Sequence, residues 1–193
     1  MIVFANNKAR TSLAQPTLLP GITRVDTIKM LGVTVRNDLT MHDHVNDVCE
    51  SAAQSLYAIK LLKSHGLDKQ STADVCRATV ISRLTYASPA WWGFCNVADK
   101  QQLQAVANRA VRWGYLDASN ASLQTVCNKR DNDLFSCLLS NSSHVLHSLL
   151  PPLNTTRYSL RSRGHNRQLP RKDNSYIEKN FIPCMLYERA HCN

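Results

Sequence analysis

No stretch of this sequence approaches the roughly 20 consecutive apolar residues that a bilayer-spanning helix needs. No two of its seven cysteines form a C-x-x-C pair. Cys49, Cys76, Cys95, Cys127, Cys137, Cys184 and Cys192 stand singly, several at apolar helix positions where a thiol packs as a small hydrophobe. That spacing argues against a disulfide framework and for a reducing compartment, nucleus or cytoplasm. The first residues, Met-Ile-Val-Phe-Ala-Asn-Asn-Lys, lack the basic n-region and long apolar run of a secretory leader. The sequons at Asn120, Asn141 and Asn154 therefore do not argue for secretion. Acidic residues are scarce as well, 14 against 23 Lys and Arg, for a net charge of +9. Such an excess favours anionic partners, nucleic acid before acidic membrane. A merely basic protein is the plain alternative.

Catalytic signatures are missing too. The sequence contains no G-x-x-x-x-G-K-[ST], G-x-S-x-G or H-E-x-x-H. His42 and His44 lie two apart, so on a helix they point to different sides, and the expectation is ordinary surface histidines. His144 and His147 are one helical turn apart, but no neighbouring Cys or carboxylate completes a zinc set. Cys184, His191 and Cys192 are no better placed. Asp43/Asp47 and Asp131/Asp133 fall at helix starts or on solvated faces, where the helix dipole explains them. They are not the adjacent buried carboxylates of a two-metal centre. No catalytic or metal-ligating residue, and no cofactor, is expected within this chain.

What is present is mostly helical. Gly21–Asp26 and Ile28–Val35 read as two strands separated by a turn, and Met1–Ala5 as a short run of β character. Thr40, with Asp43 three residues on, reads as the N-cap of a helix. Val45, Val48, Ala52, Leu56 and Ile59 form its apolar stripe, flanked by Cys49 and Leu62, and Gly66 closes it. Asp68 caps a second helix carrying Ala73, Cys76, Val80, Leu84, Ala87 and Trp91 on one face, with a break near Ser88–Pro89. Asp99 opens a third, with Leu103, Val106, Ala110 and Trp113 in register, and Gly114 ends it. Shorter helices are expected at Ser122–Cys127 and Asn132–Ser140, then a helical turn at Val145–Leu150 before Pro151–Pro152. Residues 154–193 show no sustained period, and hold eight cations against three acids. The expected fold class is mainly α with a small N-terminal β element, a helical bundle and an irregular basic tail.

Binding chemistry is concentrated in the arginines. Arg109 and Arg112 share a face of the third helix, and Arg77 and Arg83 lie on the second. Exposed guanidinium groups at helical spacing suit phosphates, through short charge-assisted bonds, although a solvated face would look the same. In the tail, Arg157, Arg161 and Arg163 interleave with Tyr158, and Arg167, Arg171 and Lys172 follow. That composition suits RNA or single-stranded DNA, with a localisation patch or a disordered basic tail as alternatives.

The order of several short motifs resembles the C-terminal part of reverse transcriptases of LINE-type, jockey-like non-LTR retrotransposons. Met30–Leu31–Gly32–Val33, with Leu39 and His44 beyond it, is similar to that family's F-L-G-V…L…H segment, with Met in place of Phe. Tyr86–Ala87–Ser88–Pro89–Ala90–Trp91 and Leu103–Ala110 resemble its Y…P-x-W and L-x-x-V-Q-x-R-A patterns. His144–Pro152 resembles L-H-x-L-L-P-P, Arg157–Ser162 resembles Y-N-L-R-S, and Asn180–Pro183 resembles a closing F-I-P. Each motif is short; their shared order spans nearly the whole chain.

The resemblance implies three regions. Residues 1–38 would be a remnant of the palm edge with the primer-grip hairpin, 39–152 a thumb-like helical domain, and 153–193 a basic irregular tail. It implies that Lys29, Leu31 and Gly32 press on the primer, that Arg77, Arg83, Arg109 and Arg112 flank an RNA–DNA hybrid, and that the tail holds RNA or target DNA. The family's catalytic Tyr-x-Asp-Asp does not occur here. The chain would then begin inside a polymerase whose Mg2+-holding palm lies upstream, and would not polymerise alone. RNA, DNA, their hybrid and the upstream polymerase region are the implied partners, with no membrane. A non-functional transposon remnant and a helical protein-interaction adaptor remain the alternatives.

Overall fold

A computed structural model describes residues 2–4, 17, 20–118, 122–154 and 164–191. The chain is mainly helical, with a two-stranded antiparallel sheet near the N-terminus, as the sequence predicts. Two units make it up: Met1–Ala87 with Phe94–Leu123, and Ser88–Gly93 with Gln124–Asn193.

In the first unit, β1 (Thr27–Met30) pairs with β2 (Val33–Arg36), Thr27 opposite Arg36 and Met30 opposite Val33. The β-branched Ile28, Val33, Thr34 and Val35 favour the extended backbone. Between the strands, Leu31 and Gly32 both take positive φ, 47° and 85°. Two such residues make a primed turn, whose twist matches that of the flanking strands. The expected strand pair is therefore displaced. Its turn falls inside the Ile28–Val35 run, because Leu31 prolongs the apolar pattern across the bend. Ile2–Phe4 takes no strand structure.

Helix α1 (His42–Ser64) begins after Met41 rather than Thr40. Thr40 instead gives its hydroxyl and its N–H to the Asp38 carboxylate, at 2.7 and 3.0 Å. Burial opposes the charge on Asp38, but the bonds from Thr40, together with Arg36, hold its pKa below the usual value. The buried stripe is His44, Val45, Cys49, Ala52, Leu56 and Ile59; Leu62 is exposed. At the C-terminus, Gly66 N–H bonds Lys63 O and Leu67 N–H bonds Leu62 O, the paired bonds of a Schellman stop.

Asp68 caps α2 (Lys69–Cys76), accepting from Ser71 N–H at 3.0 Å. The helix runs on through a π-helical turn, Arg77–Ile81, in which Ser82 N–H bonds Arg77 O, into α3 (Ser82–Leu84). The next helix, α4 (Ser88–Trp91), belongs to the second unit, and Pro89 sits in its first turn, where a missing N–H costs nothing. Helix α5 (Val97–Arg112) is capped by Asn96. Asp99, expected to open it, is the reciprocal partner in a capping box. Asn96 Oδ1 accepts from Asp99 N–H at 2.8 Å and Asp99 Oδ2 from Asn96 N–H at 3.1 Å. α1 packs on α5, and Leu103, Val106, Ala107 and Ala110 are buried there.

His44 corrects the expectation of surface histidines: it is 2% exposed. Its Nδ1 accepts from Thr34 N–H at 3.3 Å, which joins β2 to α1 and requires that nitrogen unprotonated. Burial pushes its pKa below the usual 6.5, and Lys29 acts in the same direction while Asp47 opposes. The unfolded chain therefore binds more protons than the folded one just below that pH. Stability is expected to be full above about pH 6.5 and to fall as pH drops below it. His44→Asn, whose Oδ1 can take over the acceptor, should flatten this dependence in urea titrations run at several pH values. An equally steep acid limb in the variant would show that another group is responsible.

In the second unit, α6 (Leu123–Ser140) is one helix where two were expected, because its polar middle, Asn128–Asn132, continues the helix. Beyond it lie a 3-10 turn, His147–Leu149, and helices α7 (Ser175–Lys179) and α8 (Phe181–His191). The expected irregular tail is thus helical over much of its described part. Pro183 falls in the first turn of α8, where its lack of a donor is tolerated. Met185 and Leu186 pack with Phe135, Leu138 and Leu150 in a core bordered by Phe181 and Ile182. Among the described cysteines, Cys49, Cys76, Cys95 and Cys127 are buried. Burial pushes the Cys49 and Cys76 thiols up to about 11, so both stay protonated and act as apolar filling.

Candidate nucleic-acid interface

The hairpin presents two apolar residues outward at its tip. Leu31 is 92% exposed at the tip, and Met30 beside it is 56% exposed. A non-glycine residue in the left-handed region carries a strain of about 1–2 kcal/mol, and asparagine is the common occupant of this turn position. An apolar leucine there costs stability and buries nothing within the unit. The tip is held in place from below: Tyr86 donates its hydroxyl to Leu31 O at 3.3 Å. A Cβ on Gly32 would stand 3.3 Å from the Tyr86 ring, so ring and turn are in close contact. Lys29 is exposed on β1. The sequence motif includes Tyr86 but does not show that it braces the turn.

The predicted arginines are not equivalent. Arg77 pairs with Asp74 at 2.8 Å on its own helix. Arg83 reaches across to α1, donating to Ser51 O, Ser51 Oγ and Ser55 Oγ at 2.8–2.9 Å. That guanidinium joins two helices. Arg109 is half-buried, near enough to Cys49 to act on its thiol, while Arg112 is exposed in the last turn of α5.

In the second unit, Arg167 donates to Pro151 O at 3.0 Å, and its N–H bonds His165 Nδ1. Lys172 lies 4.2 Å from the Tyr187 ring centroid and 3.9 Å from Glu178. Arg171 is exposed. Arg157, Arg161 and Arg163 lie outside the described residues. Arg189, also basic, braces α8 on α6 through Asn132 and Ser136. Charge counting cannot separate such internal cations from outward ones.

Another cluster lies where α1 and α5 end. Trp113, expected on the buried face of α5, is its C-cap and 40% exposed. It meets Tyr115 edge-on, with ring centroids 5.8 Å apart. Lys63 sits 5.2 Å from the Tyr115 centroid and donates to Trp113 O at 3.5 Å. Lys60, Lys63 and Ser64 face these rings across a groove of about 460 Å³. In the sequence this cluster is marked by the pair of lysines three apart, Lys60 and Lys63, just before Gly66.

Among the described residues, no group of three His, Cys, Asp or Glu side chains could hold a metal ion. No described helix is long and apolar enough to cross a membrane. Comparison with protein-family models finds no match for this chain, and neither does comparison with curated proteins or with solved structures.

Proposed function

We propose that this chain is the primer-grip, thumb and C-terminal part of a LINE-type non-LTR retrotransposon reverse transcriptase, and that it holds primer–template RNA and DNA. The observation that carries the reading is Leu31, an apolar side chain held 92% exposed at a strained turn. Its neighbours support the same reading, since Lys29 supplies charge beside the tip and Tyr86 fixes the tip from behind. The ordered motifs and the charge of +9 agree with it.

Polymerisation in that family rests on carboxylates that hold Mg2+, and this sequence has no Tyr-x-Asp-Asp. The chain alone therefore binds an RNA–DNA hybrid without extending it, and acts with the polymerase region of the parent enzyme. Its place is the nucleus or cytoplasm, where template and target meet.

Filter binding of the chain to an RNA–DNA hybrid over a range of salt tests this. Affinity should fall as salt rises, because phosphate contacts release counterions. Leu31→Asn creates the Asn-Gly pair that this turn favours, and should stabilise the fold by about 1 kcal/mol. The same variant should weaken hybrid binding severalfold. A stabilised variant with undiminished affinity, or salt-insensitive binding, would remove the primer-grip reading; so would nucleotide incorporation by this chain.

A further inference from the structure

The groove between the C-terminal turns of α1 and α5 has the parts of a base-and-phosphate site. Trp113 is the one exposed tryptophan of the three in the sequence, since Trp91 and Trp92 are 0% and 5% exposed. An indole over a third exposed at a helix end offers a flat face to water, and every base has a π-face to lay on it.

The indole is also held. Gly114 N–H bonds Val111 O, and Tyr115 N–H bonds Ala110 O, both at 2.9 Å, so the backbone around Trp113 is a closed Schellman turn. Tyr115 is buried beneath, edge-on to it. On the opposite rim Lys63 is positioned by the Tyr115 ring and Trp113 O, and Lys60 lies one turn earlier on α1. Around the groove, Lys60, Lys63, Arg109 and Arg112 outnumber the nearest acids in sequence, Asp68 and Asp117, four to two. The groove is shallow and open, which suits a strand passing through better than an enclosed small molecule.

We propose that this groove takes one base–phosphate unit of a single-stranded nucleic acid, the base stacked on Trp113 and the phosphate between Lys60 and Lys63. The inference rests on the nucleic-acid reading above, and adds a single-strand site apart from the hairpin.

The full chain is titrated with a short oligouridylate while tryptophan emission and the anisotropy of the labelled oligonucleotide are followed. Binding should quench the emission that acrylamide can reach, which belongs to Trp113. Trp113→Ala should weaken binding about tenfold, whereas Trp113→Phe, which keeps a ring, should retain most of it. Lys60→Gln with Lys63→Gln should flatten the slope of log affinity against log salt by about 1.4, the loss of two single-strand phosphate contacts. Circular dichroism of each variant checks that it folds. Binding unchanged in all three variants would overturn the groove and leave the hairpin reading standing. No binding of either oligouridylate or RNA–DNA hybrid would overturn both. A shift in Trp113 emission with phosphatidylserine vesicles but not with oligouridylate would make the groove a membrane contact and overturn the proposal.

Discussion

Phe135→Ala is expected to destabilise the second unit by about 3–5 kcal/mol, the range for an aromatic truncated in a core. Phe135 is fully buried, and Phe181 and His165 meet its ring edge-on at 6.3 and 6.4 Å. Such aromatic contacts add about 0.5–1.5 kcal/mol beyond the area they bury. Arg189 makes the site hard to repair by collapse. Its guanidinium stands 5.1 Å from the ring centroid, held by Asn132 O, Asn132 Oδ1 and Ser136 Oγ. With the ring gone, a half-buried cation borders the hole, and neither water nor a methyl group replaces the π-face it lost. Urea denaturation gives the size of the effect, and amide exchange along α6 and α8 locates it. A stability within about 0.5 kcal/mol of the parent would place the core of this unit elsewhere.

Asp99→Ala should cost about 1–2 kcal/mol in the first unit. The carboxylate is 2% exposed and serves two masters: Oδ2 accepts from Asn96 N–H, and Oδ1 lies 3.2 Å from His42 Nδ1. Truncation removes half of the capping box at a helix start where Asn96 and Val97 are exposed, a loss of about 0.5–2 kcal/mol for a helix cap. It also unties the first turn of α5 from the first turn of α1. Asp99→Asn should recover most of this, since its amide oxygen can accept from Asn96 N–H while its NH2 faces His42 Nδ1. Equal losses for Ala and Asn would mean that charge, rather than the capping bond, is what this position supplies. Chemical denaturation of the two variants side by side decides it.

The elements best legible in the sequence are those written in a single period. Val45, Cys49, Ala52, Leu56 and Ile59 mark one face of α1, and Gly66 and Asp68 mark the stop and start that follow. The hairpin was half legible: its β-branched residues were visible, but a Leu-Gly turn has no polar punctuation. Helix α8 was hidden because Phe181–Leu186 is too uniformly apolar to show a face, and because Pro183 looks like a breaker when it sits in a first turn. The burial of His44 is not written in its own helix, because it depends on β2 folding over it, a contact between separate elements. The candidate site was least legible. Arg83 and Arg167 look like phosphate ligands on charge alone, yet each is bonded to this chain's own oxygens. The exposure of Leu31 and Trp113, the two features on which the functional readings turn, follows from backbone geometry that composition does not encode.

The wide turn at Arg77–Ile81 sets a phase. Each α-helical residue advances the side-chain direction by about 100°, and a π turn absorbs one extra residue without lengthening the run by a full step. Deleting one residue between 77 and 81 would let the turn tighten to α geometry and leave Leu84 in the core, Arg83 on Ser51 and Ser55, and Tyr86 at the carbonyl of Leu31. Keeping all five residues but winding them as an ordinary α-helix would instead carry everything after them round by about 100°. The hairpin tip is where that angle would be felt.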